Sequence, residues 1–153
     1  MKILISDKMS NKVEEVLKSK SIDYDIKTGL EPNELKSIID SYDGILIRSA
    51  TKLTADILEN CSNLKVIGRA GVGVDNVDLD VATKNKILVM NTPLGNLEAT
   101  AELTVGLMFS LYRHIHIANS STHEGKWEKA KFMGTELKGK TLGIVGFGNI
   151  GQR

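Results

Sequence analysis

The sequence predicts an α/β fold built on a parallel sheet, and three observations carry that expectation. Short apolar runs rich in β-branched residues recur along the chain, helix-period segments fall between them, and glycine-rich turns follow two of the runs directly. Runs buried on both faces and alternating with helices belong in a parallel sheet covered on both sides. Roughly the first 90 residues therefore read as a doubly wound, flavodoxin-like unit.

Ile3 to Ile5 is the first strand, followed by a helix whose stripe is Val13, Val16 and Leu17 and whose cap is Asn11, at capping-box spacing from Glu14. Ile22 to Lys27 is a more polar strand candidate. Pro32 suits the first position of a second helix striped by Leu35, Ile38 and Ile39. Ile45 to Ile47 is the third strand, and Thr54 caps a short helix carrying Ala55, Ile57 and Leu58. Val66 to Ile67 and Ile87 to Met90 complete the sheet.

Asn91-Thr92-Pro93-Leu94-Gly95-Asn96 concentrates turn residues between a strand and a helix, which marks a hinge and divides the chain into domains 1–92 and 93–153. The helix is expected from Leu97 to Ala118, with Asn96 as its cap and Glu98 and Glu102 suiting the positive end of its dipole. No charge interrupts Leu103 to Tyr112, so the helix is expected to be buried on more than one side, by its own domain plus another domain or subunit. Asn119 to Lys140 reads as irregular chain pinned by Trp127, Phe132 and Met133. Leu142 to Val145 is a last strand.

Composition is that of an ordinary globular protein: 153 residues, 41% hydrophobic and 25% charged, with 20 basic and 19 acidic side chains. A net charge of +1 gives no broad attraction to nucleic acid or anionic membrane, so any anion site must be local. Cys61 stands alone, which excludes an intrachain disulfide, and no apolar run approaches the roughly 20 residues of a membrane span. A reducing cytoplasm is the expected location. His114, His116 and His123 have no acidic partner at ligand or catalytic spacing, so neither a metal nor a catalytic histidine is assigned.

Two motifs carry chemistry. Thr141-Leu-Gly-Ile-Val145 runs into Gly146-Phe147-Gly148-Asn149-Ile150-Gly151, a GxGxxG turn placed as in a dinucleotide fold. There the glycines permit a tight turn, a close approach of pyrophosphate and close packing of the next helix. The bland alternative is a strand-to-helix turn without a ligand. The acid that would hold the ribose is expected about 20 residues further on, beyond Arg153, so NAD and NADP are not distinguished. Gly68-Arg69-Ala70-Gly71-Val72-Gly73-Val74-Asp75 is a second glycine-rich turn at a strand end. Two of the four arginines, Arg48 and Arg69, directly follow predicted strands, so both would stand at one sheet edge where guanidinium groups bind phosphate or carboxylate. The bland alternative is a pair of surface arginines in salt bridges. A phosphoacceptor receiver module, suggested by Lys2-Ile-Leu-Ile-Ser-Asp7, fails at the third strand, where Arg48-Ser49-Ala50-Thr51 replaces the required aspartate.

Together, Ile47-Arg48-Ser49-Ala50-Thr51-Lys52, Gly68 to Asp78, Asn91-Thr92-Pro93, Ala101-Glu102-Leu103-Thr104 and the GxGxxG turn resemble the D-isomer-specific 2-hydroxyacid dehydrogenases. Gly125-Lys126-Trp127-Glu128 and Lys131 to Leu137 are similar to the branch of that family that oxidises 3-phosphoglycerate. The resemblance covers essentially the whole chain. It implies a flavodoxin-like substrate domain followed by the truncated start of a Rossmann NAD-binding domain. It also implies that Arg48 and Arg69, with Ser49, hold the substrate phosphate, that the backbone at Val72 and Gly73 holds its carboxylate, and that Asn96 meets another polar group. Val72 would lie near the nicotinamide, and Gly146, Gly148, Asn149, Ile150 and Gly151 would form the cofactor turn. The implied reaction moves hydride from C2 of 3-phosphoglycerate to NAD, the first step of the phosphorylated route to L-serine. The family's catalytic histidine, glutamate and arginine follow its first GxGxxG. The chain is therefore expected to be an inactive N-terminal part of a longer, homo-oligomeric enzyme. Another 2-hydroxyacid dehydrogenase, such as a glyoxylate or hydroxypyruvate reductase, is the alternative.

Overall fold

Five four-residue strands, β1 (Lys2–Ile5), β2 (Asp23–Ile26), β3 (Gly44–Ile47), β4 (Val66–Arg69) and β5 (Leu88–Asn91), pair in the order β2-β1-β3-β4-β5. All four pairings are parallel, with Leu4 beside Ile45, Ile47 beside Arg69 and Arg69 beside Asn91. This is the flavodoxin-type order, in which the connections diverge between β1 and β3 and open a crevice at the carboxyl ends of the strands. The computed structural model describes residues 1–153. The sheet lies in the first of two units, Met1–Gly95, and the second is Asn96–Arg153.

Alternation along the strands sorts side chains to two faces. Leu4, Ile45, Ile47 and Ile67 enter the main core with Leu35 and Ile38 of α2 (Pro32–Ile38), Ile57 and Leu58 of α3 (Ala55–Leu58) and Ala82 of α4 (Leu79–Lys84). Ile3 and Ile5 face the other way and pack with Leu46 against Leu17 and Val13 of α1 (Lys12–Ser19). The expectation of full cover on both sides is corrected here. Within the first unit only α1 lies on the second face, so Leu88 and Met90 of the edge strand stay exposed.

Helix starts follow backbone geometry more than residue type. Asn11 is already helical and its side chain caps nothing; the Ser10 carbonyl accepts from Val13 N–H at 3.0 Å instead. Pro32 takes the first turn as expected, behind a capping box of Glu31 and Glu34. Thr54 occupies the cap position of α3 through its carbonyl, which accepts from Ile57 and Leu58, and not through its hydroxyl. The helix α4 was not expected from periodicity, since six residues are too few to show it. Asp78 caps it by accepting from Val81 N–H at 2.9 Å.

In the second unit the single helix expected to Ala118 is two, α5 (Leu97–Tyr112) and α6 (Ile115–His123), broken where His114 turns left-handed at φ 53°. Asn96 does not cap α5 with its side chain; its carbonyl accepts from Thr100. Within the single chain, Leu103, Leu107 and Leu111 of the apolar face of α5 are all exposed. Trp127 and Met133 do not anchor the following segment, being 84% exposed each. It is held instead by Ser121 donating to Glu128 at 2.8 Å and by Thr135 N–H donating to the Tyr112 carbonyl at 2.9 Å. Leu142 to Val145 is not a strand, because no neighbouring strand pairs with it. No helix is long and apolar enough to cross a membrane.

Candidate functional site

Strand register puts the two arginines on neighbouring strand ends. Arg69 ends β4 directly beside Ile47 of β3, and Arg48 follows Ile47, so the two stand one position out of register at the carboxyl edge. Arg48 is exposed, joins no ion pair, and donates from Nη1 to the Lys8 carbonyl at 3.2 Å. Arg69 has only 11% of its side chain exposed, and Nη2 lies 3.8 Å from Asp75 Oδ1, a carboxylate almost wholly in solvent. Its Nε is buried without a hydrogen-bond partner. A single long contact to a solvated carboxylate neutralises little of a guanidinium charge. Neither arginine is thus consumed by a close salt bridge.

The glycine turn after β4 lies over Arg69. A side chain at Gly71 would overlap the Arg69 guanidinium, and one at Gly73 would meet the Asp75 carboxylate. Thr92 N–H donates to the Gly71 carbonyl at 2.9 Å and Asn91 Nδ2 donates to the Val72 carbonyl at 2.7 Å, which fixes the turn to the end of β5. The N–H groups of Val72 and Gly73 find no acceptor in the protein and both residues are exposed. Successive free amides in such a turn form a concavity for a small anion.

Ser49 is exposed in the loop from Arg48 to Thr51, which is fastened by residues given no role from sequence. Asp7, 7% exposed at the end of β1, accepts from Arg48 N–H at 2.5 Å and from Thr51 N–H at 3.2 Å. Asn76 Nδ2 donates to the carbonyls of Arg48 and Thr51 at 2.7 and 2.6 Å, while Asn76 Oδ1 is buried and unpartnered. The available signal was position: an acid directly after the first apolar strand, at the edge where the sheet's connections diverge.

The remaining assigned residues belong to the second unit. Asn96 is exposed and its side-chain amide is not used by the helix. In the GxGxxG turn, Gly146 adopts φ +97°, a side chain at Gly151 would strike the Gly146 carbonyl, and Gly148 faces open space. Gln152 N–H donates to the Gly148 carbonyl at 3.1 Å, which begins a helical turn. Asn149 is exposed and Ile150 half-buried. Leu142, Ile144 and Ile150 face Ala101, Val105 and Met108 of α5 across a cavity of about 420 Å³. No group of three or more His, Cys, Asp or Glu side chains is placed to hold a metal ion.

The sequence model of the D-isomer specific 2-hydroxyacid dehydrogenase catalytic domain matches residues 3–138. D-3-phosphoglycerate dehydrogenase from Homo sapiens is 49% identical over 151 residues, which is 99% of this chain and 28% of that protein. Hydroxypyruvate reductase from Thermotoga maritima is 54% identical over 123 residues, 80% of this chain and 40% of that protein. Among solved structures, the TT0316 protein from Thermus thermophilus matches with a TM-score of 0.89 at 30% identity, over 99% of this chain and 50% of that one. The NAD+-bound 3-phosphoglycerate dehydrogenase of Entamoeba histolytica matches with a TM-score of 0.77 at 32% identity, over 99% and 48%. The chain thus spans between about a quarter and a half of the length of these relatives.

Proposed function

The chain belongs to the D-isomer specific 2-hydroxyacid dehydrogenase family, and from that premise we propose that it supplies two parts of a D-3-phosphoglycerate dehydrogenase. These are a substrate-binding domain, residues 1–92, and the start of an NAD-binding domain, residues 93–153. The observation that carries this reading is the pair of arginines on adjacent strand ends, one of them nearly buried with an unpartnered Nε.

In this reading Arg48 and Arg69, with Ser49, hold the substrate phosphate, and the free amides of Val72 and Gly73 hold the carboxylate. Two anionic ends held at separate points fix the carbon between them, so the C2 hydrogen is presented in one orientation. The GxGxxG turn suits a dinucleotide pyrophosphate: Gly148 leaves open space, Gly151 packs where no side chain fits, and the amides at Asn149 and Ile150 begin a helical turn. When bound, the nicotinamide supplies the hydride acceptor. The exposed apolar face of α5 serves self-association.

Kinetics of the full-length protein carrying this sequence test the reading. Replacing Arg48 or Arg69 by Ala is expected to raise KM for 3-phosphoglycerate by roughly 10-fold to somewhat over 100-fold, because a hydrogen bond to a charged group contributes about 1.5 to 3 kcal/mol. The effect falls on KM, since a phosphate remote from C2 is held equally in ground and transition states. Lys rescues in part, keeping the charge and losing the planar fork. Unchanged KM with a lowered melting temperature in both variants overturns the anion site, and faster turnover of hydroxypyruvate than of the phosphorylated substrate favours a reductase.

A further inference from the structure

We propose that Asp7 is the positioning residue of the anion site: its buried carboxylate sets the Arg48-to-Thr51 loop, and Asn76 completes the clamp from the carbonyl side. The proposal rests on the reading of Arg48 as an anion ligand. Three donors converge on the Asp7 carboxylate: Arg48 N–H at 2.5 Å and Thr51 N–H at 3.2 Å on Oδ2, and Thr51 Oγ1 at 2.9 Å on Oδ1. Since the one hydroxyl proton of Thr51 goes to Asp7, Ser6 Oγ donates to Thr51 Oγ1 across 2.9 Å. The buried Ser6 hydroxyl is thereby satisfied as well.

Both ends of the loop are held twice. Their N–H groups donate to Asp7, and their carbonyls accept from the single Nδ2 of Asn76. Lys8, next to Asp7, accepts from Arg48 Nη1 at 3.2 Å, so adjacent residues fix the arginine at its backbone and at one guanidinium nitrogen. The other guanidinium N–H groups carry no ion pair, and they are aimed by a loop that cannot pivot without breaking these bonds. A carboxylate accepts all three donors at once, and its charge strengthens each bond. An amide of the same shape keeps one oxygen for the two N–H groups but turns its NH₂ to Thr51 Oγ1, so the charge is lost and the Thr51 hydroxyl must turn to the more distant Ser6 carbonyl at 3.4 Å. Asp7 need not touch the anion; it acts through Arg48 and Thr51.

The test uses the full-length protein with Asp7→Asn, Arg48→Ala, the double variant and Thr51→Val, reading KM for 3-phosphoglycerate, KM for NAD, kcat and melting temperature. Asp7→Asn is expected to raise KM for 3-phosphoglycerate about 10-fold, leaving kcat and KM for NAD within about threefold. The double variant is expected to match Arg48→Ala within about twofold, because both changes remove the same interaction. Thr51→Val keeps the carboxylate and both amide donors, so its KM is expected to rise by less. It decides the matter if Asp7→Asn does not fold, an unchanged KM then overturning the proposal. A lower melting temperature with unaltered KM in Asp7→Asn makes the carboxylate a structural acid only, and additive effects in the double variant make it independent of Arg48. Either result overturns the proposal while the anion site stands. Arg48→Ala with an unchanged KM removes the anion site itself and the proposal with it.

Discussion

Two segments of this chain share one pattern, an apolar run feeding a glycine-rich turn, and only one of them is a strand. Val66 to Arg69 pairs on both sides, with β3 and β5, and Ile67 is 0% exposed. Thr141 to Val145 pairs with nothing and Val145 is 104% exposed. The glycine turns differ less, for both exclude side chains at close approaches of their own backbone or arginine. A strand is therefore a property of neighbours more than of the run itself, and β propensity expresses how well a side chain packs once a sheet exists.

The largest test of that contrast is stability. Ile67→Ala opens a cavity in the core between β3, β4 and α3 and is expected to cost about 2 to 5 kcal/mol, whereas Val145→Ala should change stability by less than about 0.5 kcal/mol. Urea unfolding followed by circular dichroism measures both, and equal losses would break the comparison.

Association comes next. Leu107 on α5 is 60% exposed among other exposed leucines, and burying such a side chain contributes about 1.5 to 3 kcal/mol. Multi-angle light scattering is expected to show concentration-dependent association that Leu107→Lys weakens. A monodisperse monomer at high concentration would remove α5 as a self-association surface.

The smallest effect is the response to acid. In the first unit, Asp25 is held below the usual carboxylate range by the hydrogen bonds from Lys2 and then Tyr42, Asp40 by the Asn63 amide and Ser62, and Asp43 by Lys65 and the Lys2 amide. The second unit has one such group, Glu128, lowered by the Ser121 hydroxyl and Lys131. A carboxylate with a lowered folded pKa binds fewer protons folded than unfolded. Its contribution is therefore full above about pH 4, the unfolded value, and is lost as pH falls through the lower folded value. The melting temperature of the first unit is expected to drop as pH falls below about 4 and Asp40→Asn to flatten that drop, a change absent if the contacts to Asn63 and Ser62 carry no weight.

Much of the first unit was legible because its strands are apolar on both faces and its helices carry regular stripes. Periodicity alone found β1, β3, β4 and the stripe of α2, and strand ends located Arg48 and Arg69; of the other two stripes, Val16 on α1 is 58% exposed and Ala55 on α3 is exposed. What escaped was set by backbone geometry or by partners distant in sequence. Asn11 and Thr54 stand where caps belong, yet the turn directs other atoms to the free amides. The left-handed turn at His114 has no glycine to announce it. Asp7 and Asn76 meet the loop from Arg48 to Thr51 across separations of 41 and 28 residues, which no local pattern encodes. The exposure of Trp127 shows the reverse error, a large aromatic taken as an anchor by size alone.

The fastening of the glycine turn to Asn91 and Thr92 has a mechanical side. Those two residues begin the stretch by which the polypeptide leaves the first unit, and their bonds grip the carbonyls of Gly71 and Val72. A tug on the exit must therefore either drag these carbonyls along or snap the bonds. The amides of Val72 and Gly73 are borne by the same short arc of chain, so they tilt with it. The tether and this arc are one piece of hardware, and force applied to either is felt by the other.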